Sequence, residues 1–183
     1  MRMTMFLRAG LLAAALALAG AARGGAASAP ELAPFDARSP AALRATHAGR
    51  PFVLVFWSTT CDPCLEELPR WAALARRYPE IPIHLVLLPL SGGEERAQAR
   101  RLLADLGNTG LRTAAVSDDD ALERVLFAVD PAWRGELPAA FFLDAAHGSE
   151  RRLGRVDPGW VEAWMKAKAS AGSGATARGA TAG

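Results

Sequence analysis

An uninterrupted run of six apolar residues, Phe52 to Trp57, constrains the fold of this chain more than any other feature. Its β-branched and aromatic side chains follow one another without the polar-apolar alternation that is typical of a half-exposed strand. Strands of this composition are buried on both faces, as in the centre of a parallel or mixed sheet. We therefore predict a central strand here, with other elements covering both sides of its sheet.

Apolar periodicity predicts the elements around this strand. Two more buried strands are predicted at 83–88 and 139–143, a short strand at 111–117, and a hairpin partner for the third buried strand at 151–156. Helices are predicted at 40–48, 63–78, 94–106, 119–129 and 158–168. Ser39 is the expected N-cap of the first helix, and Pro69 is expected to kink the second. The alternation of strands and helices predicts an α/β fold with a mixed central sheet flanked by helices.

The two ends of the chain differ from this pattern. Residues 1–21 contain two arginines, an apolar run and small residues that fit a cleavage site, which together are typical of a secretory signal peptide. A membrane anchor left uncleaved is the alternative, although a spanning helix needs about 20 apolar residues. We predict a linker at 22–34, the working domain at 35–168 and a disordered tail of small residues at 169–183.

The charge balance excludes two classes of protein. The chain has 21 Lys and Arg residues and 19 Asp and Glu residues, a formal net charge of +2. Arg2 and Arg8 belong to the predicted signal peptide, so the basic excess belongs to that segment. A nucleic-acid-binding protein with a basic surface is therefore excluded, and so is an acidic disordered protein. Nothing in the sequence indicates an assembly larger than a monomer.

The chain has two cysteines, Cys61 and Cys64, between the central strand and the start of the next predicted helix. Two cysteines exclude a disulfide-stapled small fold and a metal site of four cysteines. Backbone N–H groups and the positive end of the helix dipole favour a thiolate at such a place. We expect Cys61 to be exposed and nucleophilic, and Cys64 to be more buried and to resolve a mixed disulfide.

Three other interpretations of the cysteine pair stay open at this point. A zinc site would need histidine ligands, but His47, His84 and His147 are not paired at ligand spacing. Copper could be bound by the two thiols together with a histidine. A purely structural disulfide is the third interpretation, although so short a ring removes little chain entropy.

These motifs resemble those of the thioredoxin superfamily, and within it the exported TlpA/ResA-like thiol-disulfide oxidoreductases. The similarity extends over roughly residues 50–160. It is carried by Val-Leu-Val-Phe-Trp ahead of the cysteines, by Cys61-Asp62-Pro63-Cys64, by Glu67 and Pro69, and by Leu137-Pro138. The resemblance implies a thioredoxin fold with a helix-strand-helix insertion, residues 94–129, before the hairpin. It also implies an enzyme that uses a redox-active disulfide and no cofactor.

The resemblance implies roles for further residues. Pro138 is the candidate for the family's cis-proline, which would expose the backbone at Leu137 to a bound client; an ordinary strand-initiating proline is the alternative. Glu67 corresponds to a glutamate that assists proton transfer at the thiols, whereas a charged helix face shared with Glu66 is the alternative. The residues expected to help bind the substrate are Trp57, Asp62, Pro63 and Leu137.

The direction of electron flow is inferred from Asp62. A carboxylate beside Cys61 disfavours a second negative charge there, which indicates a reductant rather than an oxidant. The resemblance implies a membrane thiol transporter of the DsbD/CcdA type as electron donor, and exported clients such as apocytochrome c or copper-site assembly proteins. A copper metallochaperone using the same thiols, and a disulfide oxidase or isomerase, are the alternative functions.

Overall fold

The computed structural model describes residues 31–88, 93–117 and 119–179, which form a mixed sheet with helices on both faces. Its strands are β1 (Ala33–Phe35), β2 (Phe52–Trp57), β3 (Ile83–Leu87), β4 (Arg112–Val116), β5 (Ala139–Leu143) and β6 (Ser149–Leu153). Its helices are α1 (Ser39–Thr46), α2 (Asp62–Arg77), α3 (Gly93–Asp105), α4 (Asp119–Val129) and α5 (Pro158–Gly179). The predicted signal peptide and most of the predicted linker lie outside the described residues.

The strands are ordered β1-β4-β3-β2-β5-β6 across the sheet, so that β2 lies inside it. The pairs β1–β4, β4–β3 and β3–β2 are parallel, whereas β5 runs antiparallel to both β2 and β6. This confirms the predicted mixed sheet. The predicted helix-strand-helix segment corresponds to α3, β4 and α4, and its strand β4 lies in the sheet between β1 and β3.

The side chains of β2 enter two separate hydrophobic cores, because successive residues of a strand point to opposite faces of the sheet. Val53, Val55 and Trp57 belong to one core, which α2, α3 and α5 also line. The alternate residues of β2 belong to the other core, which α4 lines. All six residues of β2 are buried. Burial on both faces therefore explains why the run contains no polar residue.

The N-cap prediction for the first helix was wrong. The Asp36 carboxylate accepts hydrogen bonds from the backbone N–H groups of Arg38 (2.8 Å) and Ser39 (3.0 Å), while the Ser39 hydroxyl accepts one from the Asp36 N–H at 2.9 Å. The bond from the Arg38 N–H foremost, and then one that the Ser39 hydroxyl donates to the carboxylate, hold the pKa of Asp36 below its usual value. Ser39 and Asp36 thus cap each other reciprocally, and the main acceptor is the Asp36 carboxylate, three residues before Ser39.

Three element boundaries differ from the sequence predictions. Strand β1 begins inside the predicted linker, at Ala33, because three residues at a sheet edge are too few to show a periodicity. Strand β6 ends at Leu153, since Gly154 has a positive φ of 72°. Helix α5 continues past the predicted end at Lys168 into the alanine-rich segment, which has high helix propensity.

Pro69 lies inside α2, which continues to Arg77. Within the described part of the chain, no helix is long and apolar enough to cross a membrane.

The three histidines lie around Phe52, at the end of the sheet where β2 begins. The Nε2 atoms of His47 and His84 are 3.0 Å apart, and both side chains are buried. Burial, followed by the neighbouring His47, lowers the pKa of His84 to about 3. The pKa of His47 is also lowered, mainly by burial. Both rings are therefore neutral near neutral pH, one donating and the other accepting the hydrogen bond.

This pair predicts a loss of stability in acid. The unfolded state takes up a proton on His84 near pH 6.5, whereas the folded state does so only near pH 3. Stability is therefore fully present above pH 6.5, and it falls by about 1.4 kcal/mol for each pH unit between these two values. Urea unfolding of the wild type and of the double variant His47→Phe/His84→Phe, at about pH 7 and about pH 4.5, measures this effect. Equal losses in both proteins would contradict the prediction.

Candidate active site

Cys61 and Cys64 lie at the carboxyl end of β2, where the chain turns into α2. Cys61 is the N-cap residue of that helix, and its Sγ accepts a hydrogen bond from the Cys64 N–H at 3.3 Å. The two Sγ atoms form a disulfide bond of 2.06 Å. The predicted position of the cysteine pair at a helix N-terminus is thus confirmed, and there the unpaired N–H groups of the first turn favour a thiolate.

The two cysteines differ in exposure. Cys64 is 2% exposed and belongs to the core that α2 lines, whereas Cys61 is only partly buried at its margin. Asp62 and Thr60 beside it are exposed, and Pro63 is half-buried. An incoming group can therefore reach Cys61 from solvent, whereas Cys64 is reached through Cys61.

Pro138 lies at the same end of the sheet as the disulfide. Ala139 pairs with Phe56 in the antiparallel register of β5 and β2, so the residue before Ala139 falls beside the end of β2. The Leu137–Pro138 peptide bond is cis, as the resemblance to the thioredoxin superfamily implied. The Pro138 carbonyl accepts a hydrogen bond from the Gly154 N–H at 2.8 Å, and Leu137 is half-buried in front of it.

Glu67 is buried, with 5% of its surface exposed. Its Oε1 accepts a hydrogen bond from the Val156 N–H at 3.0 Å and forms an ion pair with Arg70. Its Oε2 is buried and has no hydrogen-bond partner among the described residues. Glu66, by contrast, is exposed and pairs with Arg155. The alternative of a solvated helix face therefore fits Glu66 and does not fit Glu67.

The other predicted site residues divide by exposure. Asp62 is exposed, and Pro63 and Leu137 are half-buried, which places all three at the surface around Cys61 or Pro138. Trp57 is 1% exposed, and its side chain packs in the core. Burial of the whole side chain does not fit the predicted contact with a substrate.

The histidines do not join the cysteines. They lie around Phe52 at the start of β2, and the disulfide follows Trp57 at the other end of that strand. In the ranges that the structure describes, no group of three or more His, Cys, Asp or Glu side chains could hold a metal ion. The arrangement therefore does not support a copper or zinc site that shares a histidine with the two thiols.

Sequence reasoning missed three groups that contact the site residues. Arg70 lies three residues after Glu67, and this helical spacing was the available signal. The N–H groups of Val156 and Gly154, which bind Glu67 and Pro138, are backbone donors from a loop far away in sequence. Backbone groups leave no mark on residue type, so only the fold could identify them.

No protein-family model matches the sequence, and no curated protein does. Solved structures do match the fold. A secreted disulfide oxidoreductase from Mycobacterium tuberculosis, homologous to E. coli DsbE, shares 18% identity over 67% of this chain and 85% of its own, with a TM-score of 0.53. A thioredoxin-family thiol:disulfide interchange protein from Chlorobium tepidum TLS shares 14% over 69% and 84%, with a TM-score of 0.55.

An exposed lipoprotein thioredoxin from Streptococcus pneumoniae strain TIGR4 is also similar. It shares 19% identity over 67% of this chain and 87% of its own, with a TM-score of 0.51. The six-stranded mixed sheet flanked by helices agrees with the fold of these neighbours. The chain therefore has the thioredoxin fold.

Proposed function

We propose that this chain is a thiol-disulfide oxidoreductase in which Cys61 attacks and Cys64 resolves. The observation that carries this proposal is the disulfide at the N-terminus of α2, with one partner at the surface and the other buried. Disulfide exchange needs this asymmetry, because one thiolate must meet the client and the second must act only afterwards. The solved structures with this fold, a disulfide oxidoreductase and thioredoxins among them, support the same chemistry.

The reaction runs in two exchanges. In the first, the Cys61 thiolate attacks a client disulfide, so that one client sulfur leaves as a thiolate and the other is bonded to Cys61. In the second, the Cys64 thiolate attacks the Sγ of Cys61 and expels the remaining client sulfur. The client gains two electrons and, with protons from water, two thiols, while the Cys61–Cys64 disulfide forms.

Pro138 and Leu137 are proposed to hold the client chain beside Cys61. Leu137 reaches the surface at the end of the sheet where the disulfide lies, and Pro138 is fixed behind it by the hydrogen bond to Gly154. An extended client segment along Leu137 would bring its cysteine to the exposed side of Cys61. Asp62 and Pro63 would border the same contact.

Glu67 is proposed to accept the proton of the Cys64 thiol. The two residues are neighbours on one face of α2, three positions apart. The Oε2 of Glu67 has no partner among the described residues, whereas its Oε1 is held. A buried carboxylate with one uncommitted oxygen suits a proton acceptor in a site that solvent does not reach.

We further propose that the chain acts as an exported reductase and works as a monomer. Support comes from the signal-peptide pattern of residues 1–21 and from neighbours described as secreted or as an exposed lipoprotein. The exposed carboxyl of Asp62 next to Cys61 favours a reductant. A membrane thiol transporter of the DsbD/CcdA type would supply electrons, and apocytochrome c or copper-site assembly proteins are the client class.

Replacing Cys64 with serine should trap clients on Cys61, because the mixed disulfide then has no resolving thiol. Non-reducing gels of the exported fraction should show adducts with Cys64→Ser that disappear on reduction. The matched control is the double variant Cys61→Ser/Cys64→Ser, which should show none. A Cys64→Ser protein without any adduct would contradict the proposal.

The reduction potential of the Cys61–Cys64 pair should lie near that of thioredoxin, about −270 mV. Equilibration with glutathione or dithiothreitol buffers, followed by mass spectrometry, measures the potential. The variant Asp62→Asn should be more oxidising, because it removes the negative charge beside the thiolate. A wild-type value near about −120 mV would instead identify a strong oxidant.

The reduced protein should be alkylated at Cys61 at least about tenfold faster than at Cys64, since only Cys61 reaches solvent. Peptide mass spectrometry after short exposure to iodoacetamide separates the two rates. In urea the rates should become similar, which controls for intrinsic reactivity. Preferential labelling of Cys64 in the folded protein would exclude Cys61 as the attacking thiol.

A further inference from the structure

The Glu67 carboxyl depends on a compensating charge. Its side chain is 6% exposed, and an ionised carboxylate in such a place is unfavourable unless a positive charge and hydrogen bonds stabilise it. Arg70, one turn further along α2, supplies that charge through a direct hydrogen bond from its guanidinium. The Arg70 side chain is 28% exposed, so it extends from the buried carboxylate towards solvent.

The donors around Glu67 are arranged unequally. Arg70 and the Val156 N–H both bind Oε1, whereas Oε2 has no partner in the described part of the chain. Holding one oxygen from two sides fixes the plane of the carboxyl group. The other oxygen then remains free for a proton from a neighbour on the same helix face, where Cys64 lies three residues earlier.

Within the described part of the chain, Cys64 and Arg70 lie on α2 three residues either side of Glu67, and Arg155 interacts with it from the loop between β6 and α5. The pKa of Arg155 is raised first by its hydrogen bond to Glu66 and only lastly by the charge of Glu67. Its side chain is 59% exposed, so solvent screens its charge. Arg70 is thus the cation that acts on Glu67 directly.

We propose that Arg70 is a positioning residue for the resolving step, an inference that rests on the proposed function. Arg70 binds Oε1 and so orients the Glu67 carboxyl, which leaves Oε2 to accept the proton from the Cys64 Sγ. The Cys64 thiolate then attacks the Cys61 Sγ, the Cys61–Cys64 bond forms, and the bond between Cys61 and the client sulfur breaks. The client sulfur leaves with the bonding electron pair and takes a proton from water.

The resolving step can be measured alone. Reduced protein treated with Ellman's reagent forms a mixed disulfide between Cys61 and thionitrobenzoate, and attack by Cys64 then releases the second coloured thiolate. Stopped-flow absorbance from about pH 5 to about pH 9 gives the rate of that release. We expect Arg70→Met to slow it about tenfold near pH 7 and to move the rise of the rate to higher pH, because the positive charge that favours removal of the proton from Cys64 is then missing.

Further variants make this result specific to the action of Arg70 on Glu67. Arg70→Lys keeps the charge and should restore most of the rate. Arg77→Met removes another α2 ion pair, that with Glu162, and should leave the pH profile unchanged. Glu67→Gln should be slow, and adding Arg70→Met to it should cause no further loss, because Arg70 acts through Glu67. If Arg70→Met does not fold, Arg70→Gln tests the same loss of charge.

The outcomes separate this inference from the proposed function. A wild-type protein that never releases the second thiolate overturns the exchange chemistry itself. An active wild type whose pH profile coincides with that of folded Arg70→Met or Arg70→Gln overturns only the role of Arg70. The same holds if Arg70→Met still slows release in the Glu67→Gln background.

Discussion

The burial of β2 on both faces is the constraint on which the rest of the structure depends. Its alternate side chains fill two cores, and its two neighbours, β3 and β5, run in opposite directions relative to each other. Since β5 is antiparallel, its beginning lies beside the end of β2. The cysteines that follow β2 and the proline that precedes β5 therefore lie at the same end of the sheet. More than half of the predicted working domain separates them in sequence.

The same arrangement separates two kinds of chemistry. The thiols and the buried carboxylate occupy the carboxyl end of β2, and the hydrogen-bonded histidine pair occupies the other end. Hydrogen bonds hold the buried groups at both ends of the strand. Glu67 Oε1 binds Arg70 and a backbone donor, whereas the two neutral histidines share one hydrogen bond. The strand β2 that joins these two ends consists of apolar, buried side chains.

The sequence predicted those features of the structure that depend on residues close together in the chain. The apolar run 52–57, the helical spacing after Cys64 and the proline before Ala139 are local patterns, and each corresponded to an element of the structure. Contacts between distant segments left no such pattern. The bond from Val156 to Glu67 and the pairing of His47 with His84 join residues brought together only by the fold. Resemblance to a family supplied the cis-proline, which physics alone permits but does not require.

The loop after β6 determines which amino-acid substitutions near the site preserve its hydrogen bonds. Residues 154 and 156 bind Pro138 and Glu67 through their N–H groups, which every amino acid except proline possesses. Side-chain variation at Val156 therefore leaves the donor to Glu67 in place, and its cost is confined to the packing of a buried position. Gly154 is restricted by its left-handed backbone conformation. Space is not the restriction, because a Cβ atom there would meet no neighbour within 4 Å. Most single substitutions at Val156 therefore preserve its hydrogen bond to Glu67. A proline at position 154 or 156 would remove the donor and with it the bond to Pro138 or to Glu67.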